Sequence, residues 1–221
     1  MNARNSPTYL WCVLIQIALV VGPTNALAAR AAGEVVSVAG RAAAATLDGD
    51  IRNLGRGSAV NSGDTVVTSS NSYVRMKFID GAAVILRPNS RFHIEQYKLA
   101  KKPAESRSFF SLVKGGFRAV TGLIGQRNRR SYRVRTAVAT IGIRGTDYSM
   151  RTCQGDCGNN PDGDYYHVHD GGIFVTTDAG ELEYQSGDFG FVDSAGSNPV
   201  TISEADADPL TDDPLPPASC E

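Results

Sequence analysis

The stretch that decides the fold is Ser72-Tyr-Val-Arg-Met-Lys-Phe-Ile79, which is followed by Asp80-Gly81 and by the short apolar run AAVIL at 82–86. Apolar and charged side chains alternate along the first segment, and a period of two over eight residues is typical of a half-buried strand. Two strands on either side of Asp-Gly form a strong hairpin signal. We therefore predict a β-hairpin in this region.

The same pattern extends in both directions along the chain. Glycines recur between short apolar segments, and no segment keeps a helical period. We predict an all-β fold: a single domain of many short strands, arranged either as a β-roll or solenoid or as a jelly-roll-like sandwich. The further strand candidates are residues 34–39, 65–68, 91–97, 108–113, 117–121, 131–136, 165–169, 172–177, 181–185 and 189–192.

Residues 1–28 have the order of a secretory signal peptide. Arg4 precedes an apolar run over residues 9–21, and Ala26-Leu27-Ala28 places small residues at the two positions that a signal peptidase reads. The run is shorter than the roughly 20 residues that a membrane-spanning helix needs. We predict cleavage after Ala28 and export, with an uncleaved anchor as the alternative.

The cysteines agree with export. Cys153 and Cys157 flank a Gly-containing turn, and in an oxidising compartment such a pair most simply forms a local structural disulfide. Their spacing is not the CxxC of redox motifs, and the chain has no second pair to hold zinc. Cys220 is left without an assigned partner. Residues 194–221 are acidic and Pro-rich, and we predict a disordered tail there.

Charge is distributed unevenly. Residues 101–144 hold eleven Lys and Arg against one acid, whereas residues 146–221 hold sixteen acids against one Arg. The basic stretch could pair with the acidic second half, or bind an anionic partner such as a lipopolysaccharide, an acidic polysaccharide or a protein surface. Export and a shortage of aromatic residues disfavour nucleic acid. The candidate patch for an anionic partner consists of Arg127, Arg129, Arg130, Arg133 and Arg135.

Catalytic and metal-binding signals are missing from the sequence. There is no G-x-S-x-G, no H-E-x-x-H and no phosphate-binding Gly loop. His167 and His169 would share a strand face, but no third ligand can be assigned. We interpret Gly142-Ile-Arg-Gly-Thr146 as a fold-stabilising corner, because the glycines permit a tight bend. We therefore predict no enzyme activity, no metal and no cofactor.

Six segments together resemble the FecR domain family. The resemblance covers residues 33–192 and is strongest over the core motifs at 63–150. The segments are GEVVSVAG (33–40), VNSGDTVVT (60–68), FIDGAAVIL (78–86), LVKGGF (112–117), TAVATIGIRGTDY (136–148) and GDFGFV (187–192).

The resemblance implies an all-β periplasmic domain of a Gram-negative bacterium, without catalytic residues. In signalling members of the family, the periplasmic part senses an outer-membrane transporter for iron-loaded siderophores, and a cytoplasmic N-terminal segment holds a sigma factor. The eight residues before the apolar run are too few for such a segment. We expect a stand-alone periplasmic or secreted module that senses or binds other proteins. Its expected partner is an envelope protein, such as a transporter or a signalling component, or an anionic glycan.

Overall fold

Seventeen strands and little helix make up the computed structural model, which describes residues 31–210. The predicted signal peptide, the alternative anchor and Cys220 lie outside the described residues. Within residues 31–210, no helix is long and apolar enough to cross a membrane. The strands are β1 (Ala31–Ala39), β2 (Ala42–Ala45), β3 (Ile51–Asn53), β4 (Ala59–Asn61), β5 (Thr65–Thr68), β6 (Tyr73–Phe78), β7 (Ala83–Leu86), β8 (Arg91–Lys98), β9 (Arg107–Val120), β10 (Tyr132–Arg135), β11 (Thr140–Ile143), β12 (Asp147–Cys153), β13 (Gly163–Asp170), β14 (Gly172–Thr176), β15 (Glu181–Gln185), β16 (Phe189–Val192) and β17 (Val200–Ile202).

The helical segments are short and lie between strands or after the last one. A five-residue α-helix, α1 (Leu123–Arg127), follows β9. The remaining segments are 3₁₀ turns at Pro103–Glu105, Arg129–Ser131 and Glu204–Leu210. The all-β prediction is therefore confirmed.

The predicted hairpin is confirmed, since β6 and β7 pair antiparallel on either side of Asp80-Gly81. Gly81 adopts a φ of +87°, in the left-handed region that favours glycine. The buried carboxylate of Asp80 accepts hydrogen bonds from the backbone N–H groups of Ala82 and Ile124, each at 3.0 Å, and from the Tyr97 phenol. The turn therefore also holds β8 and the start of α1 in place.

Hydrogen bonds join the strands into one continuous network that folds into two layers. All the paired strands are antiparallel except β9 and β10, which are parallel. Layer A has the strand order β4-β1-β6-β7-β9-β12-β13-β16-β17. Layer B has the order β3-β2-β5-β8-β9-β10-β11-β14-β15.

Strand β9 belongs to both layers. Its first half pairs with β8 as far as Lys114, and its second half pairs with β12 from Gly115 onwards. Gly115 has a φ of +82°, and a Cβ at this position would come within 2.6 Å of the Ser90 Cα. Only glycine fits here without strain, so the crossing between the layers depends on this residue.

The core lies between the two layers and is rich in aromatic side chains. Phe78 of layer A packs against Phe110 of layer B with ring centroids 5.5 Å apart, and Phe117 of layer A meets Phe92 of layer B at 5.4 Å. These ring contacts join the two layers into one core.

The structure differs from the predicted tail at residues 194–221. Strand β17 pairs with β16, and the following turn Glu204–Leu210 buries Ala207 and Leu210. A few apolar residues, spaced to contact one surface, are enough to order this segment although its composition is polar. The predicted tail is therefore wrong up to Leu210, and residues 211–221 lie outside the described part.

Candidate functional site

The outer face of layer B carries a row of residues that crosses five strands. Phe109 on β9 lies beside Arg133 on β10, and the register of β10 with β11 brings Arg133 opposite Gly142. Gly142 in turn pairs with Phe174 on β14, which lies beside Glu183 on β15. Side chains alternate between the two faces of a strand, and the flanking residues of β11 are buried in the core. These residues therefore face away from the core.

All of this row except Glu183 lines an open groove of about 290 Å³, which we call the Gly142 groove. The rings of Phe109 and Phe174 and the side chain of Arg133 form its walls. The guanidinium of Arg133 lies over the Phe109 ring, 4.3 Å from its centroid. A Cβ placed on Gly142 would meet no atom within 4 Å, so the floor is open backbone.

The two ends of the groove differ chemically. Arg129 and Arg130 line the groove and precede β10 in the chain. At the far end of β10, the strand register places Thr140, Thr176 and Glu181 side by side. The Thr176 hydroxyl donates a hydrogen bond of 2.7 Å to the Glu181 carboxylate. One end is therefore cationic, and the other carries hydroxyl groups and a carboxylate.

The structure separates the five arginines of the predicted patch. Arg135 forms an ion pair with Glu95 at 2.7 Å. Arg127 ends α1 and does not line the groove. The three arginines that come together at the groove are Arg129, Arg130 and Arg133.

Pairing between the basic and acidic halves of the chain involves other residues. Among residues 31–210, no ion pair is formed by Arg127, Arg129, Arg130 or Arg133. Ion pairs among residues 31–210 therefore account for only part of the basic stretch. The pairs that do join the two halves are Lys114–Asp156 at 3.6 Å, Arg118–Asp147 at 2.9 Å and Arg144–Glu183 at 3.6 Å.

The stretch interpreted as a corner contains two separate features. Gly145 has a φ of +62°, and the Thr146 hydroxyl donates to the Gly172 carbonyl at 2.6 Å. These two residues form the corner. Gly142 lies earlier, on β11, where the alternation of residues 140–143 assigns it to the outer face. From the sequence, that alternation could have identified Gly142 as a residue of the outer face. Nothing in the sequence could have brought Phe109 and Phe174 to the same groove, because their strands are distant along the chain.

Cys153 and Cys157 are joined by a disulfide, with Cα atoms 5.6 Å apart. Both cysteines are buried in a small cluster with Tyr165 and Leu210. The disulfide lies at the end of β12 in layer A and does not line the groove. Its position fits a structural role in holding the loop that follows β12.

The two histidines lie together on layer A. The rings of His167 and His169 are 4.1 Å apart, and His167 also stacks on Phe189 at 4.0 Å. The Nε2 atom of His169 lies 2.8 Å from the Ser149 hydroxyl. In the described range 31–210, no group of three or more His, Cys, Asp or Glu side chains is arranged to hold a metal ion.

Comparison with known proteins identifies one family. Residues 64–158 match the family model described as "FecR protein". No curated protein matches the chain. Two crystal structures of a "putative anti-sigma factor" from Parabacteroides distasonis ATCC 8503 are similar, each with 14% identity and a TM-score of 0.49. The alignment covers 65% of this chain and 60% of each solved chain.

The matched segment runs from β5 to the disulfide loop and includes the β6–β7 hairpin, the β9 crossing and the strands that form the groove floor. It contains most of the core motifs on which the sequence resemblance rested, whereas the first and last of the six segments lie beyond it. Residues 64–158 are therefore similar to the FecR family.

Proposed function

We propose that this protein is a non-catalytic sensing or protein-interaction module of the bacterial cell envelope, in envelope or iron-uptake signalling. The similarity of residues 64–158 to the FecR family carries this proposal, because it supports a sensing or signalling role. The signal-peptide pattern of residues 1–28 supports export to the periplasm or beyond. Its partner in this role is an envelope protein, such as a transporter or a signalling component.

The chemistry of the described residues supports the non-catalytic part of the proposal. Ser149 contacts His169 through its hydroxyl, and Ser149 is completely buried. A nucleophile must reach the reacting atom of its substrate, and this hydroxyl is covered. The groove on layer B offers arginines, threonines and a single carboxylate, a set suited to binding.

Cross-linking in intact cells tests this function. The full chain, tagged at the C-terminus, is cross-linked and purified from the envelope fraction, and we expect one envelope protein to be recovered specifically. N-terminal sequencing of the same material is expected to begin at Ala29. Failure to enrich any protein above the level obtained with an unrelated exported β-domain would contradict the proposal.

A second candidate function is that of an envelope accessory protein that holds an anionic polymer. The observation that favours it is the Gly142 groove, where Arg129, Arg130 and Arg133 gather without an ion pair among residues 31–210. Unpaired cations beside a groove attract anions.

Pull-down with peptidoglycan or lipopolysaccharide tests this second function. Binding is expected to fade between about 0.1 and 1 M salt, because the screening length falls from about 10 to about 3 Å. Replacing Arg129, Arg130 and Arg133 with alanine is expected to have a similar effect. Arg56→Ala, at an exposed site outside the basic stretch, is the matched control. Salt-independent binding would argue against an electrostatic role for the patch.

A further inference from the structure

We propose that the Gly142 groove binds one carboxylate-bearing sugar of an anionic glycan. The sugar ring lies between Arg133 and Phe174, and its carboxylate points toward Arg129 and Arg130. This inference rests on the second candidate function and deepens it, since it names the class of ligand and the place where one unit binds.

The space above Gly142 is wide enough for one sugar ring. Arg133 and Phe174 lie on the two strands that flank β11, and two strand spacings separate their backbones by about 10 Å. The guanidinium of Arg133 lies over Phe109, and Phe109 belongs to β9, which pairs with β10 on the side opposite β11. The groove volume of about 290 Å³ lies at the lower end of small-molecule sites, which begin near 300 Å³. A single ring therefore has room in it.

The walls suit a sugar ring. Phe174 is half-buried, and its exposed ring offers an apolar surface on which the C–H face of a pyranose can be removed from water. The Arg133 guanidinium is a planar group that stacks and also donates hydrogen bonds. Its position over Phe109 limits its freedom, so less conformational entropy is lost when a ligand binds.

The polarity of the groove matches an acidic sugar in one orientation. Arg129 and Arg130 can bind a carboxylate through charge-assisted hydrogen bonds. At the other end, Thr140, Thr176 and Glu181 offer partners for sugar hydroxyls. A ligand with acids at both ends would bring one of them against Glu181, and repulsion would weaken its binding.

An extended peptide fits this site less well. Peptides that bind β-sheets commonly add a strand at a free edge. Strand β11 is paired with β10 on one side and with β14 on the other. Its backbone groups are therefore already used, and recognition here must rely on ring faces, hydroxyl groups and charge.

Calorimetric titration of the full chain with a short oligogalacturonate tests the inference. An uncharged oligogalactoside of the same length and a polyaspartate of the same charge are the comparison ligands. We expect the oligogalacturonate to bind at least about tenfold more tightly than either, a difference of about 1.4 kcal/mol. Equal affinity for polyaspartate would overturn the proposal, because the sugar ring would then contribute nothing.

Gly142→Val is the decisive variant. It fills the groove floor, where a Cβ meets no atom within 4 Å, and valine suits a strand. We expect the affinity to fall by about tenfold or more. Gly55→Val, also at a glycine with open space, is the matched control and should leave the affinity unchanged. Phe174→Ala removes the aromatic wall of the groove and should also lower the affinity.

Arg129→Ala combined with Arg130→Ala tests the orientation of the sugar. The double variant should lose the preference for oligogalacturonate over the uncharged oligogalactoside, whereas Arg56→Ala should keep it. If Gly142→Val and Phe174→Ala both kept the affinity of the parent protein, the groove would not be the binding site. Binding that weakens with salt would in that case still support the second candidate function. If the protein bound no acidic glycan at all, both the groove proposal and the second candidate function would be contradicted.

Discussion

The two layers of the fold present outer faces of different chemistry. On layer A, Arg118 pairs with Asp147 through two hydrogen bonds of 2.9 Å, and the His167 ring stacks on Phe189. On layer B, the arginines beside the Gly142 groove have no ion-pair partner within residues 31–210. Arg118 on layer A therefore has an ion-pair partner within the fold, whereas the groove arginines on layer B have none among residues 31–210.

This difference divides a basic segment that is uniform in sequence. Lys114 and Arg118 lie in the same basic stretch as Arg129 and Arg130. The first two pair with carboxylates, whereas the other two form no ion pair within the described range 31–210. Charge density therefore does not locate a binding surface by itself. The pairing of each charge within the fold decides whether it stabilises the structure or remains available.

The largest effect is expected in the interior that the two layers share. Burial raises the pKa of core tyrosines well above the ordinary value of 10, and the Tyr132 and Tyr148 phenols, one from each layer, are 2.7 Å apart. Above pH 10 the tyrosines of the unfolded chain ionise, whereas those buried in the folded core keep their protons. The other buried tyrosines with a raised pKa are Tyr97, Tyr165, Tyr166 and Tyr184.

The tyrosine contribution to stability is therefore complete below about pH 10 and is lost above it, by about 1.4 kcal/mol per tyrosine for each pH unit. Denaturant midpoints measured on either side of pH 10 check this. A midpoint that stays constant above pH 10 would show that these phenols ionise freely in the folded protein.

The next largest effect is expected where the hairpin of layer A meets β8 of layer B. Asp80→Ala removes the acceptor for the Tyr97 phenol and for two backbone N–H groups, and should cost about 3 kcal/mol because buried donors are left unsatisfied. Asp80→Asn should cost less. The exposed control Asp48→Ala should stay within about 0.5 kcal/mol of the parent in urea unfolding. If Asp80→Ala were as stable as the parent protein, Asp80 would not hold this turn in place.

Loss of the disulfide tests whether layer A can be weakened without changing layer B. Replacing Cys153 and Cys157 with serine should cost about 2 kcal/mol in the chain-entropy model for so short a loop. A reducing agent should shift the unfolding of the parent protein, and it should have no effect on the double variant. Because the disulfide does not line the groove, ligand binding should be unchanged. Loss of binding would mean that the two faces are coupled.

The smallest effect separates the two kinds of arginine. Arg118→Ala should cost about 1 kcal/mol, since its ion pair is bidentate but partly exposed to solvent. Arg133→Ala should change stability by no more than about 0.5 kcal/mol. Chemical unfolding of both variants measures the difference. The reverse order would remove the distinction drawn between the two faces.

Local features of the fold could be predicted from sequence because their causes are local. The alternation at 73–78 and the Asp80-Gly81 turn predict the hairpin, and the spacing of Cys153 and Cys157 allows a disulfide within one loop. The ordered segment after β16 was missed for the opposite reason. Ala207 and Leu210 are isolated apolar residues in a polar segment, and only the surface they contact explains their burial.

The candidate site was predictable in part. The sequence identified the five arginines as a group, but it could not show that Arg135 pairs with Glu95, 40 residues away. Nor could it bring together Phe109, Gly142 and Phe174, which lie on three strands. Pairing between distant strands joins them, and that pairing depends on the whole sheet.

By itself, the sequence determined the strand pattern, the hairpin, the likeness to the FecR family and the concentration of positive charge in one segment. Only the tertiary structure decided which of those charges are paired and where an open surface lies among them. The physical reason is that alternation and turn formation act between neighbouring residues. A groove on a sheet face is instead built by side chains from separate strands, and the register of those strands sets which residues meet.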